Sequence, residues 1–301
     1  KPDIKWNKDD IEALVSISTC SFDIFITETV LPLVNGWRTI LADEEQCRNQ
    51  YALNKLLSKE KGEFLQTTPT KLKVLMTDPT QREFLKNIRV LLLGGEAMEL
   101  PFLYELKKLT NAKIYNIYGT TEVPIWSMIA DTDTFSDFVT IGKPFANTQI
   151  YILDKHLKPV PVGVTGELCI AGVNVGQGYL NNPELTAERF IDNPFGEGKL
   201  YRTGDNAYWR EDGNIVFCGR SDFQVKIRGL RIELGEIESA LQAIEGINRA
   251  VVVVRKDKED RQLICAFYTG EEKSVKQFRE IQLVEFRRQE QQRKIQIIAQ
   301  R

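Results

Sequence analysis

Histidine is almost missing from this 301-residue chain: its one copy is His156, in YILDKHLKPV. Ser-His-Asp chemistry and histidine-built metal centres are therefore poor candidates, and a lone imidazole between a strand-like run and a proline turn is expected to face solvent. Cysteine is scarce too. Cys20, Cys47, Cys169, Cys218 and Cys265 are scattered without a CxxC pair, which argues against a zinc ribbon or a disulfide framework and fits a reducing compartment. Neither sign of charge dominates. Forty Lys plus Arg against 42 Asp plus Glu give a net charge of −2, so there is no basic field to gather nucleic acid. No apolar run approaches the ~20 residues that span a bilayer, and the opening KPDIKWNKDD has no signal-peptide character. The expectation is a cytoplasmic protein that touches neither membrane nor nucleic acid and works on a small molecule.

What is present is an ordinary globular composition, 42% hydrophobic and 27% charged. Up to about Thr121, short apolar runs alternate with amphipathic stretches. IRVLLLGGEA reads as a strand (Val90–Leu93) ending in Gly94-Gly95, Leu100–Leu109 as a helix, and Ala112–Tyr118 as the next, parallel strand. From Ile141 to Gly219 the character becomes short strands between Gly, Pro and Asn, with Asp212-Gly213 as a hairpin turn. FQVKIRGLRI then reads as a strand, LGEIESALQAIEG as a helix, and RAVVVV and LICAFYTG as strands. The expected domains are 1–219, α/β to about 140 and β-rich over 141–219, then a small α+β unit over 220–279, then a helical tail over 280–301 that is rich in Gln, Arg and Glu.

Four glycine-bearing segments carry the chemistry: NIYGTTE at 116–122, GELCIAGVNVGQGYL at 166–180, YRTGD at 201–205 and GRSDFQVKIRGLRIELGEIE at 219–238. NIYGTTE puts an aromatic ring, two hydroxyls and a carboxylate on the turn after a strand, where open α/β sheets bind ligands. Tyr118 can stack on adenine, Thr120 and Thr121 can meet phosphate oxygens, and Glu122 is a hard oxygen ligand of the kind Mg²⁺ accepts. Asp205 can accept hydrogen bonds from ribose hydroxyls. By itself, Arg220 reads as a surface ion-pair residue and Asp222 as a turn former.

Together and in this order, the segments resemble the adenylation domains of nonribosomal peptide synthetases, within the adenylate-forming enzymes that include acyl-CoA ligases. The resemblance covers about residues 15–275. It implies the adenylate-forming fold, ATP and Mg²⁺ as cofactors, and a phosphopantetheine-bearing carrier domain and a condensation domain as partners. It also implies site roles. Thr121 and Glu122 are catalytic, with Glu122 on the metal. Gly95, Glu96, Tyr118, Gly119, Thr120, Thr121, Asp205 and Arg220 line the nucleotide, and Asp222 is the hinge between domains. The segment 166–180 is expected to be mostly structural.

The resemblance extends to an amino-acid pocket. Asp23 matches the residue that pairs with the substrate α-ammonium, a costly buried carboxylate unless a cation meets it. The walls are Ile24, Thr27, Gln66, Leu92, Gly94, Ile117, Ile125 and Trp126. Read in order with Asp23, this set is similar to the family's glycine pattern, because Ile117, Ile125 and Trp126 fill the volume a longer side chain needs. Thr27 departs from that pattern, and alanine, serine and cysteine stay open. Two family features are not matched: the Ser/Thr/Gly-rich phosphate loop that comes before these segments, and the Asn-Gly-Lys loop that follows them. No residue here is therefore given the role of the catalytic lysine, Lys294 included. The implied activity is ATP-dependent formation of an aminoacyl-adenylate, with a ligase for acyl or aryl acids, or a catalytically incompetent binding module, as the alternatives.

Overall fold

The computed structural model describes residues 10–135, 137–221, 224–227, 230–256, 262–271 and 296–297. The chain parts into two compact units, Lys1–Ser221 and Asp222–Arg301.

Local sequence explains how the first unit starts and stops its elements. Strand β1 (Ala13–Ser16) is buried throughout and leads to helix α1 (Ile24–Asn35). That helix ends at Gly36, whose φ of 72° suits glycine and whose N–H turns back to the Leu33 carbonyl. Strand β2 (Arg38–Leu41) precedes α2 (Glu44–Arg48), opened by a reciprocal Asp43–Gln46 capping box, and α3 (Gln50–Glu60), capped by Asn49. Strand β3 (Phe64–Thr67) runs into α4 (Pro69–Leu75), where Thr68 accepts the Lys71 N–H and Pro69 takes the first helical position. Next come β4 (Val90–Gly94), α5 (Leu100–Leu109) and β5 (Lys113–Thr120), with β5 parallel to β4 as the alternation in sequence predicts. The antiparallel β6 (Val123–Asp131) and β7 (Lys143–Pro144) complete a seven-stranded sheet in the order β2-β1-β3-β4-β5-β6-β7.

The chain leaves β1 for β2 on one side and returns to β3 on the other, so a switch point lies at the carboxyl ends of β1 and β3. That is the place where open α/β sheets take ligands. One sheet face packs Val15, Leu65, Leu91 and Leu93 with Leu57, Leu72 and Leu106. The opposite face gathers Leu14, Phe64, Leu92, Tyr115 and Ile117 with Leu31 of α1. Farther out, α1 leaves Ile26, Val30, Leu33 and Val34 exposed, an apolar row at helical spacing.

A second, antiparallel sheet follows, from β8 (Thr148–Leu153), β9 (Gly166–Gly172), β10 (Phe190–Asp192) after the short helix α6 (Pro183–Arg189), β11 (Lys199–Trp209) and β12 (Ile215–Arg220). The hairpin between β11 and β12 turns where the Asp212-Gly213 signal places it, with Gly213 at φ 76°. Tyr118, Val123 and Met128 of the first sheet share a core with Ile150, Ile170 and Tyr201 of the second.

In the second unit, β13 (Gln224–Ile227) pairs with β14 (Leu230–Glu233), α7 (Leu234–Gln242) follows, and β15 (Ile247–Lys256) pairs with β16 (Gln262–Gly270). Leu234, Ile237 and Leu241 pack with Val252, Ala266 and Tyr268. Two expectations change here. FQVKIRGLRI holds parts of two antiparallel strands, Gln224–Ile227 and Leu230–Glu233, instead of one strand. In the tail, Gln296–Ile297 is a short strand, β17, parallel to β16 and not helical, in a stretch whose isoleucines suit a pleated surface. The rest of 280–301 lies outside the described residues. Among the described residues no helix is long and apolar enough to cross a membrane.

Candidate active site

Side chains alternate across a strand, so Gln66 of β3, Leu92 and Gly94 of β4 and Ile117 of β5 share the sheet face that carries Phe64 and Tyr115. Register places them side by side: Gln66 opposite Leu92, and Gly94 opposite Ile117. A Cβ on Gly94 would fall 2.4 Å from Cγ1 of Ile117, so glycine lets the Ile117 side chain lie across β4. Trp126 packs against the same cluster and stacks on Phe145 at 6.2 Å between ring centroids. Helix α1 covers this face through Leu31 and carries the half-buried Ile24 and Thr27.

Asp23 stands at the start of α1 but does not cap it. Burial pushes its carboxyl pKa up, and the charge of Glu122 pushes the same way, against hydrogen bonds from the backbone. The two carboxylates therefore feel each other.

The turn after β5 holds the other expected residues. Gly119 lies so close to the returning strand that a Cβ would sit 2.4 Å from the carbonyl oxygen of Ile125, which is half-buried. Thr120 Oγ1 is buried and makes no hydrogen bond, whereas Thr121 is exposed. At the end of β4, Gly95 adopts a φ of 77°, and Glu96 Oε2 accepts the Thr70 N–H at 3.0 Å. Glu96 Oε1, both amide atoms of Gln66 and Trp126 Nε1 are likewise buried without a hydrogen-bond partner. Buried polar atoms are nearly always paired. Such atoms on β3, β5 and β6 and just beyond the end of β4 are ones that a polar ligand at this end of the sheet could pair.

Asp205, on β11, is 2% exposed. Its Oδ2 accepts the hydroxyl of Tyr118 and its Oδ1 accepts Arg220 Nη1 at 2.6 Å, while Arg220 Nη2 donates to the Thr203 carbonyl at 3.0 Å. The Asp205 N–H is taken by Thr203 Oγ1 at 2.9 Å, and the Thr203 hydroxyl donates to the Leu168 carbonyl. Burial, and then the Asp205 charge, hold the Tyr118 phenol pKa well above its ordinary value, so it stays a donor. Arg220, at the end of β12, is a partly buried ion-pair partner, its side chain 11% exposed.

Glu122 is 7% exposed, with Oε1 accepting the Tyr179 hydroxyl at 2.7 Å and its carbonyl oxygen accepting the Gly176 N–H at 2.8 Å. Tyr179 is fixed in turn by the edge of Phe190, 5.3 Å between centroids, and by Thr186 Oγ1, which accepts its N–H at 2.8 Å. Sequence reading missed Tyr179, because a loop of spaced glycines gives no period from which a contact 57 residues away follows.

Glu28 was missed as well. Entirely buried on α1, its Oε2 accepts from Ser16 Oγ at 2.8 Å and from the Ile17 and Ser18 N–H groups at 3.0 Å each, and its Oε1 accepts from Ser18 Oγ at 2.7 Å. It thereby ties α1 to the carboxyl end of β1. Burial nonetheless raises its pKa more than these bonds lower it. Asp222 lies outside the described residues. His156 is exposed, its N–H on Asp154 Oδ1.

Among the described residues no group of three or more His, Cys, Asp or Glu could cage a metal ion. One carboxylate beside orphaned hydroxyl and amide atoms fits a Mg²⁺ that arrives on nucleotide phosphates, since that ion commonly takes one or two protein carboxylates and keeps phosphate and water as its other ligands.

Comparison with known proteins gives this arrangement its family. The family model of the AMP-binding enzymes matches residues 3–180. A dimodular nonribosomal peptide synthase of Bacillus subtilis is 42% identical over 263 residues, 86% of this chain and 11% of that protein. The chain thus spans about a tenth of the length of that relative. Among solved structures, a four-domain nonribosomal peptide synthetase bound to AMP and glycine is similar with a TM-score of 0.64 and 37% identity over 89% of this chain and 20% of that one. An artificially fused adenylation–PCP di-domain from Klebsiella oxytoca aligns with a TM-score of 0.75 and 26% identity over 90% of this chain and 55% of that one. The seven-stranded sheet, its β subdomain and the small α+β unit are the adenylate-forming fold, and the chain belongs to the AMP-binding enzyme family, where it is similar to the adenylation domains of nonribosomal peptide synthetases.

Proposed function

We propose that the protein activates a small amino acid, glycine above all, with ATP as an aminoacyl-adenylate, for loading onto the phosphopantetheine thiol of a carrier domain. One observation carries this reading: the four glycine-bearing segments, scattered from residue 116 to 220, are joined by direct side-chain bonds. NIYGTTE is bonded to YRTGD through Tyr118–Asp205 and to the 166–180 segment through Glu122–Tyr179. YRTGD is bonded to GRSD through Asp205–Arg220 and to Glu167 through Arg202. A network so built, joining the turn at the carboxyl end of β5 to the antiparallel second sheet, suits a nucleotide.

In this reading Asp23 pairs with the substrate ammonium, and Gln66, Leu92, Gly94, Ile117, Ile125 and Trp126 form the pocket with Ile24 and Thr27. Gly95 and Glu96 lie along the adenine, whose ring meets Tyr118 above Gly119. Asp205 and Arg220 take the ribose. Thr120 and Thr121 hold phosphate oxygens. The substrate carboxylate attacks the α-phosphorus and pyrophosphate departs; Glu122 would hold a Mg²⁺ carried on the nucleotide, which would neutralise phosphate charge. Fixed donors and positioned reactants supply the rate. Asp222 serves as the hinge for the change from adenylate formation to thioester formation. A bound glycine and AMP in a similar synthetase, and carrier domains fused to another, support the substrate and the partner. A condensation domain is a further expected partner. Asp23 stands against an acyl or aryl acid substrate, which has no ammonium to meet it. ATP–pyrophosphate exchange across the amino acids, on the full-length protein and on this chain, tests the reading. Exchange greatest with a fatty or aryl acid would refute it.

A further inference from the structure

The glycine-rich segment after β9 has a purpose beyond sheet packing. It grips the catalytic turn at two points, the Gly176 N–H on the Glu122 carbonyl at 2.8 Å and the Tyr179 hydroxyl on the Glu122 carboxylate at 2.7 Å. A Cβ at Gly176 would come 3.0 Å from that same carbonyl oxygen, a tight contact that glycine relieves. The far side of Tyr179 is braced by Phe190 and Thr186, which leaves its hydroxyl aimed at Glu122. A glutamate side chain has three rotatable bonds, and an acceptor that must meet a metal in one geometry gains from a partner that fixes it.

We infer that Tyr179 is a positioning residue that holds the Glu122 carboxylate in the orientation in which it meets a nucleotide-borne Mg²⁺. The inference rests on the proposed role of Glu122 as the metal's ligand. It makes the 166–180 segment part of the nucleotide site, although Tyr179 itself touches neither nucleotide nor metal.

The test compares the affinity of the full-length protein for α,β-methylene-ATP with Mn²⁺ and in EDTA, by calorimetry. The ratio of the two affinities reads the metal contact alone. In Tyr179→Phe the ring keeps its seat on Phe190, the EDTA affinity stays at the wild-type value, and the ratio falls about 10-fold, the usual cost of losing a group that orients a metal ligand. Glu122→Gln lowers the ratio at least as far, and adding Tyr179→Phe to it lowers the ratio no further. An unchanged ratio in Tyr179→Phe beside a collapsed one in Glu122→Gln overturns the inference and leaves Glu122 on the metal. An unchanged ratio in Glu122→Gln instead removes the reading on which it rests. A double variant well below Glu122→Gln alone assigns the tyrosine a role apart from that carboxylate and also overturns the inference.

Discussion

Tyr118 and Asp205 stand 87 residues apart in sequence, on different sheets, and are joined by a buried hydrogen bond from the phenol to the carboxylate. The aromatic ring that sequence reading assigns to adenine stacking therefore also fixes the carboxylate assigned to ribose. Tyr118→Phe separates the two duties. The ring remains, while Asp205 keeps Arg220 and loses one donor in a site only 2% exposed. The expected cost is about 2 kcal/mol in the unfolding of the first unit, the range for a buried hydrogen bond to a charged group. Nucleotide affinity falls less than in Asp205→Ala. Urea denaturation with calorimetric ATP titration checks both, and an unchanged unfolding midpoint would show that the bond contributes nothing.

Glu28 gives a pH test with a definite sign. Its folded pKa is raised by burial despite four hydrogen bonds. A raised acid pKa means that the stability it contributes is complete below its unfolded value and is lost as pH climbs through the folded value. Glu28→Gln keeps the acceptor for Ser16, Ile17 and Ser18 and presents its amide to Ser18 Oγ, which can turn to accept. The variant is therefore at least as stable as wild type at pH 7, and the difference vanishes as pH falls below the unfolded value. Glu28→Ala orphans the Ile17 and Ser18 N–H groups and costs about 2–4 kcal/mol. Thermal unfolding between pH 4 and 8 measures this; a Gln variant much weaker than wild type at pH 7 contradicts it.

How much of this was legible in the sequence depends on the range of the interaction. Leu100–Leu109 and the Asp212-Gly213 hairpin are set by local periodicity and turn chemistry, and the structure has both. The common sheet face of Gln66, Leu92 and Ile117 follows from strand alternation once register is known, and register is what a single sequence withholds. Tyr179, Glu28 and Thr203 act through contacts between distant segments, which no local pattern encodes. Gln224–Ile227 and Leu230–Glu233 pair with each other, and strand propensity alone does not tell such a pair from one continuous strand.

Asp23 supplies a second titration. Burial, then Glu122, make its ionised form costly in the free protein, and in the proposed role a substrate ammonium would relieve that cost. Amino-acid binding is therefore coupled to loss of the Asp23 proton, and the apparent affinity falls as pH drops through its raised pKa. Asp23→Asn lowers exchange for every α-amino acid and flattens the acid limb of kcat/KM. It leaves the free protein no less stable at pH 7, because the raised pKa makes the charge a burden there. Glu122→Gln removes one of the two causes and shifts the wild-type acid limb to lower pH. An acid limb unchanged in Asp23→Asn would remove Asp23 from the ammonium site.

Trp126 tests the substrate assignment instead of the family. It packs against the cluster of Leu92, Ile117 and Ile129 and stacks on Phe145, so its indole occupies volume beside the face that carries Gln66 and Gly94. If that bulk limits the pocket, Trp126→Ala opens space that a larger side chain can fill. Alanine, valine and leucine then become substrates, with discrimination reduced by about 1–3 kcal/mol per methylene, the range apolar pockets provide. Glycine activation persists but weakens, because a small substrate is held less firmly in a larger cavity. The effect is distinct from that of Asp23→Asn, which lowers all amino acids together by acting on a group they share. A pyrophosphate-exchange profile of wild type and both variants in the full-length protein separates the two. Wild-type preference for a large or charged amino acid would refute the glycine assignment and, with it, the place of Trp126 as the wall that sets substrate size.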